Sequence, residues 1–214
     1  MELGFYSDVD ALPKYLRFYG ASDYATMAPE TGKKEPDFTE HGVFGYDSQG
    51  DLWAVDWFWK QCETDVGIAQ FIRLLGLWKP TKWWNEGGLI DKAIGPAIRS
   101  AMKRHRRFVT IESLPSLHDK SIKLQSFHAR ANARTVHFPL KRAFTEHVIE
   151  ELIKFPAGRW DDAADVCGLI GRGIDQMIDA PPPVEQHKPL LVPYTAEWIE
   201  YDPSRDKPKV RYFS

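Results

Sequence analysis

The chain has 214 residues, of which 43% are hydrophobic and 27% are charged, and its formal net charge is −2. This composition fits one globular domain with a tail, and it excludes a polycation, so any nucleic-acid binding must come from local basic patches. No apolar run approaches 18 residues and the N-terminus lacks the features of a signal peptide, which predicts a soluble, cytoplasmic protein without membrane contact. The two cysteines, Cys62 and Cys167, are too far apart to indicate a zinc motif or a disulfide framework.

The first half of the chain predicts three antiparallel strands. Residues 1–14 are interpreted as a leader or linker, and a strand follows over about 15–22, ending near Asp23. Residues 41–48 and 51–60 alternate between apolar and polar side chains and flank the turn Gln49-Gly50, a pattern typical of a β-hairpin. The three strands together predict an antiparallel meander.

From residue 63 onward, helical and strand patterns alternate. Apolar residues recur at helical spacing in five segments, and three short segments between them predict further strands. The predicted helices are 63–76, 88–106, 119–133, 142–154 and 159–179, and the predicted strands are 80–86, 107–113 and 135–138. This order predicts a mixed α/β sheet with helices on both faces over residues 15–180. Residues 181–214 begin with three prolines and are interpreted as an extended tail.

Acidic residues fall at the ends of several predicted elements. Asp23 ends the first strand, Glu86 ends the fourth strand before Gly87-Gly88, and Asp161 and Asp162 open the last helix, with Asp165 one turn further on. An acid at a strand end is usually solvated, and acids in a first helical turn suit the helix dipole. Taken together, however, these oxygens could bind two divalent cations, Mg²⁺ or Mn²⁺.

The segment around the last helix resembles a motif of the nuclease domain of the large terminase subunit of tailed bacteriophages, a ribonuclease H-like fold. That motif runs roughly Phe-Pro-x-Gly-x-His-Asp-Asp-x-x-Asp-Ala, with Trp160 here in place of His and Val166 in place of Ala. The matching residues are Phe155, Pro156, Gly158, Asp161, Asp162 and Asp165. By order and context, Asp23 and Glu86 match the first and middle acids of the family, and Asp119-Lys120 matches its Asp-Lys pair. The resemblance covers roughly residues 15–180.

The resemblance implies a metal-dependent endonuclease that cuts double-stranded viral DNA during genome packaging. The implied catalytic residues are Asp23, Glu86 and Asp161: Asp23 would bridge two metal ions, and Glu86 and Asp161 would each hold one. Asp162 would assist as a further metal ligand, and Asp165 would be scaffold. In the full protein the implied partners are an N-terminal ATPase domain, the portal and the small terminase subunit, in the host cytoplasm. This chain has no P-loop motif, so the ATPase motor is not within it.

Basic residues suggest where DNA could lie. The candidate phosphate contacts are Lys33, Lys34, Arg104, Arg106, Lys120 and Lys123. Lysine and arginine supply most of the non-specific affinity for DNA, but solvated loops, a solvated helix end and structural ion pairs remain open as alternatives. Trp83 and Trp84 should face opposite sides of one strand, one in the core and the other available to line the site.

Two other functions stay open at this stage. One is a non-catalytic DNA-binding or assembly module on the same fold, which would not bind Mn²⁺ at the acidic cluster. The other is a Holliday-junction resolvase-like nuclease, which would prefer branched DNA to a plain duplex.

Overall fold

A computed structural model describes residues 1–7, 11–25, 38–117 and 119–181. A seven-stranded mixed sheet forms its centre, in the order β1-β7-β4-β3-β2-β5-β6. The strands are β1 (Gly4–Tyr6), β2 (Arg17–Asp23), β3 (Thr39–Tyr46), β4 (Leu52–Lys60), β5 (Lys82–Glu86), β6 (Thr110–Leu114) and β7 (Val136–Pro139). The helices are α1 (Thr64–Trp78), α2 (Leu89–His105), α3 (Lys120–Asn132), α4 (Ala143–Lys154) and α5 (Asp162–Gly173). The predicted tail, apart from its first residue, and the lysine pair Lys33-Lys34 lie outside the described residues.

The antiparallel meander predicted from the sequence is confirmed. Strand β2 pairs antiparallel with β3, and β3 pairs antiparallel with β4 across the turn at Gln49-Gly50. Gly50 adopts a φ of 83°, a left-handed conformation that glycine takes without steric cost. Strands β5 and β6 then join the sheet parallel to β2 on its other side. The result is the predicted ribonuclease H-like arrangement of three antiparallel strands followed by parallel ones.

Helices cover both faces of the sheet and enclose two separate cores. Trp83 packs into one core with α1 and α2, while its neighbour Trp84 packs into the other with α3, α4 and α5. Both rings are fully buried, so the prediction that one of them is available to line a site is wrong; each fills one layer of the core. Within the described residues, none of the helices combines the length and the apolar character that crossing a membrane requires.

Two local features differ from the sequence interpretation. The segment 1–14, interpreted as a leader, contains β1, which pairs parallel with β7 at the edge of the sheet. Its last residue, Tyr6, donates its hydroxyl to the carbonyl of Ala54 at 2.5 Å. A strand of three residues is too short to leave a periodic signal. The last helix was predicted over 159–179, but α5 covers only Asp162–Gly173 and a 3₁₀ turn follows it.

Helices α3 and α5 pack unusually close together, because two glycines of α5 face the backbone of α3. A Cβ atom at Gly168 would lie 2.8 Å from the carbonyl oxygen of Lys123, and one at Gly171 would lie 2.6 Å from the amide nitrogen of Phe127. Any larger side chain would push the helices apart. The close packing therefore fixes Lys123 of α3 beside the first turns of α5.

We expect Gly171→Ala to lower the free energy of unfolding by about 1–3 kcal/mol, because the added methyl group overpacks the contact with Phe127. Urea denaturation followed by circular dichroism measures this difference. Gly95→Ala in α2 is the matched control, since its Cβ would meet only the end of the flexible Arg99 side chain. Alanine is a better helix former than glycine, so the control should gain about 0.5–1 kcal/mol. A Gly171→Ala protein as stable as the parent would contradict the packing described here.

Candidate functional site

Three neighbouring strands place a row of carboxylates on one face of the sheet. Asp23, the last residue of β2, lies directly opposite Glu40 of β3 in the antiparallel register. On the other side of β2, Ser22 pairs with Asn85 of β5, so Asp23 and Glu86 come next on the two parallel strands. Residues in register on adjacent strands point to the same face, with Cα atoms about 5 Å apart. The carboxylates of Glu40, Asp23 and Glu86 therefore face the layer that contains α5.

The start of α5 brings further acids to this face. Asp161 is the N-cap residue, Asp162 is the first helical residue and is buried, and Asp165 follows one turn later. Asp162 Oδ2 accepts a hydrogen bond from the backbone N–H of Phe38 at 3.3 Å. The positive end of the helix dipole stabilises carboxylates in this first turn, as the sequence pattern indicated.

Lys123 of α3 neutralises part of this charge. Its ammonium nitrogen lies 2.9 Å from Asp165 Oδ2 and 3.1 Å from Glu86 Oε1, and the side chain is largely buried. The hydroxyl of Ser116 also donates to Glu86 Oε1, at 2.7 Å. Lys123 thus links the end of β5 to the first turns of α5.

The carboxylates remain strongly coupled despite this ammonium group. Burial, followed by the charges of Asp165, Asp162 and Glu86, raises the pKa of Asp23 well above its ordinary value. Burial also raises the pKa of Asp165, although Lys123 opposes the shift. Burial alone would lower the pKa of Lys123, but the carboxylates of Asp165 and Glu86 more than offset it, and the pKa is raised. The site holds an excess of negative charge that a further cation would relieve.

The donor atoms of this cluster, all of them oxygens, suit Mg²⁺ or Mn²⁺. One oxygen in particular, Asp165 Oδ1, is buried and has no hydrogen-bond partner among the described residues. A buried carboxylate oxygen without a donor is costly, and a bound cation would satisfy it. The residues present therefore fit a divalent cation. We refer to Asp23, Glu86, Asp162, Asp165 and Lys123 as the acidic cluster.

Most of the predicted acids converge, but their neighbours differ from the sequence interpretation. Asp23, Glu86 and Asp162 lie together as expected. Asp165, interpreted as scaffold, carries the largest charge effect on Asp23, and it pairs with Lys123. Asp161 is partly exposed at the N-cap, and its charge acts on Asp165 and on Glu151 of α4. Its predicted role as a metal ligand stays a prediction.

The candidate DNA contacts are spread over the molecule. Arg104 and Arg106 are exposed at the end of α2, which starts just after Glu86 and runs away from it over 17 residues. A helix of that length spans about 25 Å, which places both arginines far from the acidic cluster. Lys120 is the first residue of α3, and its side chain lies outside the described part of the chain. Of the candidate contacts that the structure describes, Lys123 alone reaches the acids, where it forms ion pairs.

Sequence reasoning missed a second group of side chains on the same face. Glu40 Oε1 lies 2.7 Å from Nε2 of His147, and Glu151 Oε1 lies 3.7 Å from the same nitrogen. His147 and Glu151 are four residues apart, so they share one face of α4. A histidine followed by glutamate at that spacing on the predicted helix 142–154 was the available signal, but the histidines were considered only for pairing with one another.

Comparison with known proteins relates this fold to a group of solved structures. No protein-family model matches the sequence, and no curated protein matches it. By structure, the chain is similar to the nuclease domain of human cytomegalovirus terminase, with a TM-score of 0.54 and 14% identity over 81% of this chain and 90% of that chain. It is also similar to the large terminase nuclease of thermophilic phage G20c with bound magnesium, with a TM-score of 0.52 and 14% identity over 80% and 92% of the two chains.

The chain has the terminase nuclease fold. The resemblance seen in the sequence is confirmed at the level of fold, since identities of 11–14% carry no more than that. A full-length large terminase from another thermophilic bacteriophage, in complex with ADP, matches with a TM-score of 0.52 and 11% identity; 79% of this chain aligns with 42% of that one. The terminase nuclease fold thus corresponds to one part of that longer protein.

We expect Asp23→Asn to stabilise the protein in EDTA at pH 7 by about 1–3 kcal/mol, because it removes a poorly compensated buried charge. The raised pKa means that the folded parent retains a proton which the unfolded chain releases, so the parent loses stability as the pH rises through that pKa. The gain should shrink toward pH 4, where the carboxyl group is protonated in both states of the parent. Urea denaturation at several pH values measures it.

Asp175→Asn provides the control for this measurement, because Asp175 is exposed on the 3₁₀ turn after α5. A surface substitution of this kind should change stability by no more than about 0.5 kcal/mol at any pH. An Asp23→Asn protein less stable than the parent at pH 7 would show that the carboxylate is well compensated.

Proposed function

We propose that this chain is a metal-dependent endonuclease, the nuclease domain of a large terminase subunit, which cleaves double-stranded viral DNA during genome packaging. The observation that supports this most strongly is the convergence of Asp23, Glu86 and the acids of α5 at one edge of a terminase nuclease fold. Acidic residues from distant parts of the chain do not gather in a partly buried place without a compensating interaction. Metal binding supplies one.

Asp23, Glu86 and Asp161 are the proposed catalytic residues, with Asp162 as an additional metal ligand. Two bound cations, Mg²⁺ or Mn²⁺, would lower the pKa of the attacking water and offset charge on the leaving oxygen of a phosphodiester. Asp23 lies between the strand carrying Glu86 and the first turn of α5, the position that suits a shared ligand. The backbone N–H of Phe38 fixes Asp162 in place.

Lys123 and Asp165 act on the other ligands. Lys123 is held at 3.1 Å from Glu86 and 2.9 Å from Asp165, so it orients both carboxylates. We keep Lys123 among the DNA contacts as well, together with the pair Lys33-Lys34 and Lys120, since its position beside the acids would bring it close to a bound phosphate. Arg104 and Arg106 could contact only a more distant part of the duplex.

The wider assembly belongs to the proposal too. The longer phage terminase that was crystallised with ADP supports an ATPase domain preceding the nuclease in the full protein. The portal, the small terminase subunit and the host cytoplasm are the remaining proposed partners and location. Double-stranded DNA is the proposed substrate.

We expect the purified chain to nick and linearise plasmid DNA in the presence of Mg²⁺ or Mn²⁺. Replacing a proposed ligand by its amide, as in Asp23→Asn, Glu86→Gln or Asp161→Asn, should lower the cleavage rate by at least about 100-fold, since a metal ligand is lost while the shape is kept. Asp175→Asn serves as the control and should cut like the parent. Cleavage by Asp23→Asn at the parental rate would refute the assignment.

The same assay separates the alternatives. A non-catalytic DNA-binding or assembly module would retain duplex DNA in a gel-shift experiment without cutting it at any cation concentration. A resolvase-like nuclease would cut a four-way junction much faster than a linear duplex of the same sequence. The proposed function predicts cleavage of linear and plasmid duplexes with little sequence preference.

We further expect Lys123→Met to bind Mn²⁺ at least about fivefold more tightly than the parent, because the ammonium group competes with the cation for Glu86 and Asp165. Isothermal titration calorimetry measures the affinity. Lys82→Met is the matched control, since Lys82 also forms an ion pair, with Glu112, but lies at the opposite end of β5. Weaker Mn²⁺ binding by Lys123→Met would show that its orienting effect outweighs the competition.

A further inference from the structure

Glu40, His147 and Glu151 form a second group of potential metal ligands, separate from the acidic cluster. Glu40 comes from β3 and is fully buried, while His147 and Glu151 come from successive turns of α4. One ligand atom from each, the Nε2 nitrogen and two carboxylate oxygens, lie within 4.8 Å of one another. We call this group the Glu–His–Glu cluster.

Each carboxylate of the Glu–His–Glu cluster has one oxygen held by a protein donor. Trp57 Nε1 donates to Glu40 Oε2 at 2.6 Å, and the backbone N–H of Ala163 donates to Glu151 Oε2 at 2.9 Å. The other oxygen of each carboxylate lies nearest to Nε2 of His147, at 2.7 Å and 3.7 Å. Supporting hydrogen bonds of this kind orient carboxylate ligands in metal sites.

The imidazole ring is held in place as well. It stacks on Trp59 with the planes 12° apart and the centroids 4.9 Å apart, and Phe38 contacts it from another side. About a fifth of the His147 side chain is exposed to solvent, at 19%, which leaves a path for an ion and room for a water ligand. The cluster is thus rigid on its protein side and open on one side.

The donor set favours a different metal from the acidic cluster. One imidazole nitrogen with two carboxylate oxygens suits Zn²⁺, whereas Mg²⁺ prefers oxygen ligands alone. Tetrahedral zinc with bonds of about 2.0–2.1 Å needs neighbouring ligand atoms about 3.3 Å apart. The distances of 2.7 Å and 3.7 Å bracket that value, so shifts of about half an ångström would complete the geometry.

We propose that Glu40, His147 and Glu151 bind Zn²⁺ as a three-residue site with a water molecule in the fourth position. The ion would link β3 to α4 and, through the hydrogen bond from Ala163 to Glu151, support the beginning of α5. This site does not require the chain to be a nuclease, because its ligands differ from those proposed for catalysis. Two buried carboxylates facing one imidazole also carry an excess of negative charge that Zn²⁺ would offset.

Equilibrium dialysis of the full chain against micromolar Zn²⁺ with millimolar Mg²⁺, followed by metal analysis, tests the proposal. The parent should retain one Zn²⁺ per chain, and His147→Gln and Glu151→Gln should bind it at least about tenfold more weakly. His137→Gln is the matched control: His137 also pairs with a carboxylate, that of Asp51 at 2.8 Å, and stacks on a tryptophan, but it belongs to no three-residue ligand group among the described residues. It should bind Zn²⁺ like the parent.

Asp23→Asn distinguishes the two clusters and should retain Zn²⁺ while losing nuclease activity. Parental Zn²⁺ binding by His147→Gln, loss of Zn²⁺ only in Asp23→Asn, or no Zn²⁺ in the parent would each overturn the proposal. Anomalous diffraction at the zinc edge from parent crystals grown with Zn²⁺ covers the case in which the variants fold poorly. A peak bonded to His147 Nε2 supports the site, and a peak confined to Asp23 and Glu86 overturns it.

Discussion

The concentration of carboxylates at one edge of the sheet is the constraint on which this structure depends. Asp23 is flanked by acids on both neighbouring strands and faces more on α5, and like charges this close repel strongly where water is excluded. The described residues answer with the helix dipole of α5 and with Lys123. Both answers require α3 and α5 to lie close to each other and to the sheet, which Gly168 and Gly171 make possible. Packing and electrostatics are therefore linked at this place.

Elements with a local signal could be predicted from the sequence, and contacts between helices could not. Alternation around Gln49-Gly50 predicted the hairpin, helical spacing predicted five helices, and the general rules of α/β topology brought the strand ends together. That Lys123 contacts Asp165, in contrast, follows from the close packing of α3 on α5, which no periodicity reveals. Glu40 was missed because the predicted strand began one residue after it.

The two clusters show how one sheet face can offer chemically different sites side by side. Glu40 and Asp23 are paired across two strands, yet Glu40 belongs to a group with an imidazole, and Asp23 to a group of oxygens and an ammonium. Burial and the charge of Glu40 raise the pKa of Glu151 to about 7. Burial would lower the pKa of His147, but its hydrogen bond and charge interaction with Glu40 outweigh that effect and raise it. The donor atoms, more than the distance between the clusters, separate their ligand preferences.

Lys123 has a consequence for the order of binding events. An ammonium group that neutralises Glu86 and Asp165 is released when another cation takes its place, and it then becomes available to a phosphate group nearby. Metal ions and DNA would each make the binding of the other more favourable, and thermodynamic linkage requires this effect to be equal in both directions. A single lysine would thereby make DNA binding and metal loading cooperative without any change of backbone conformation.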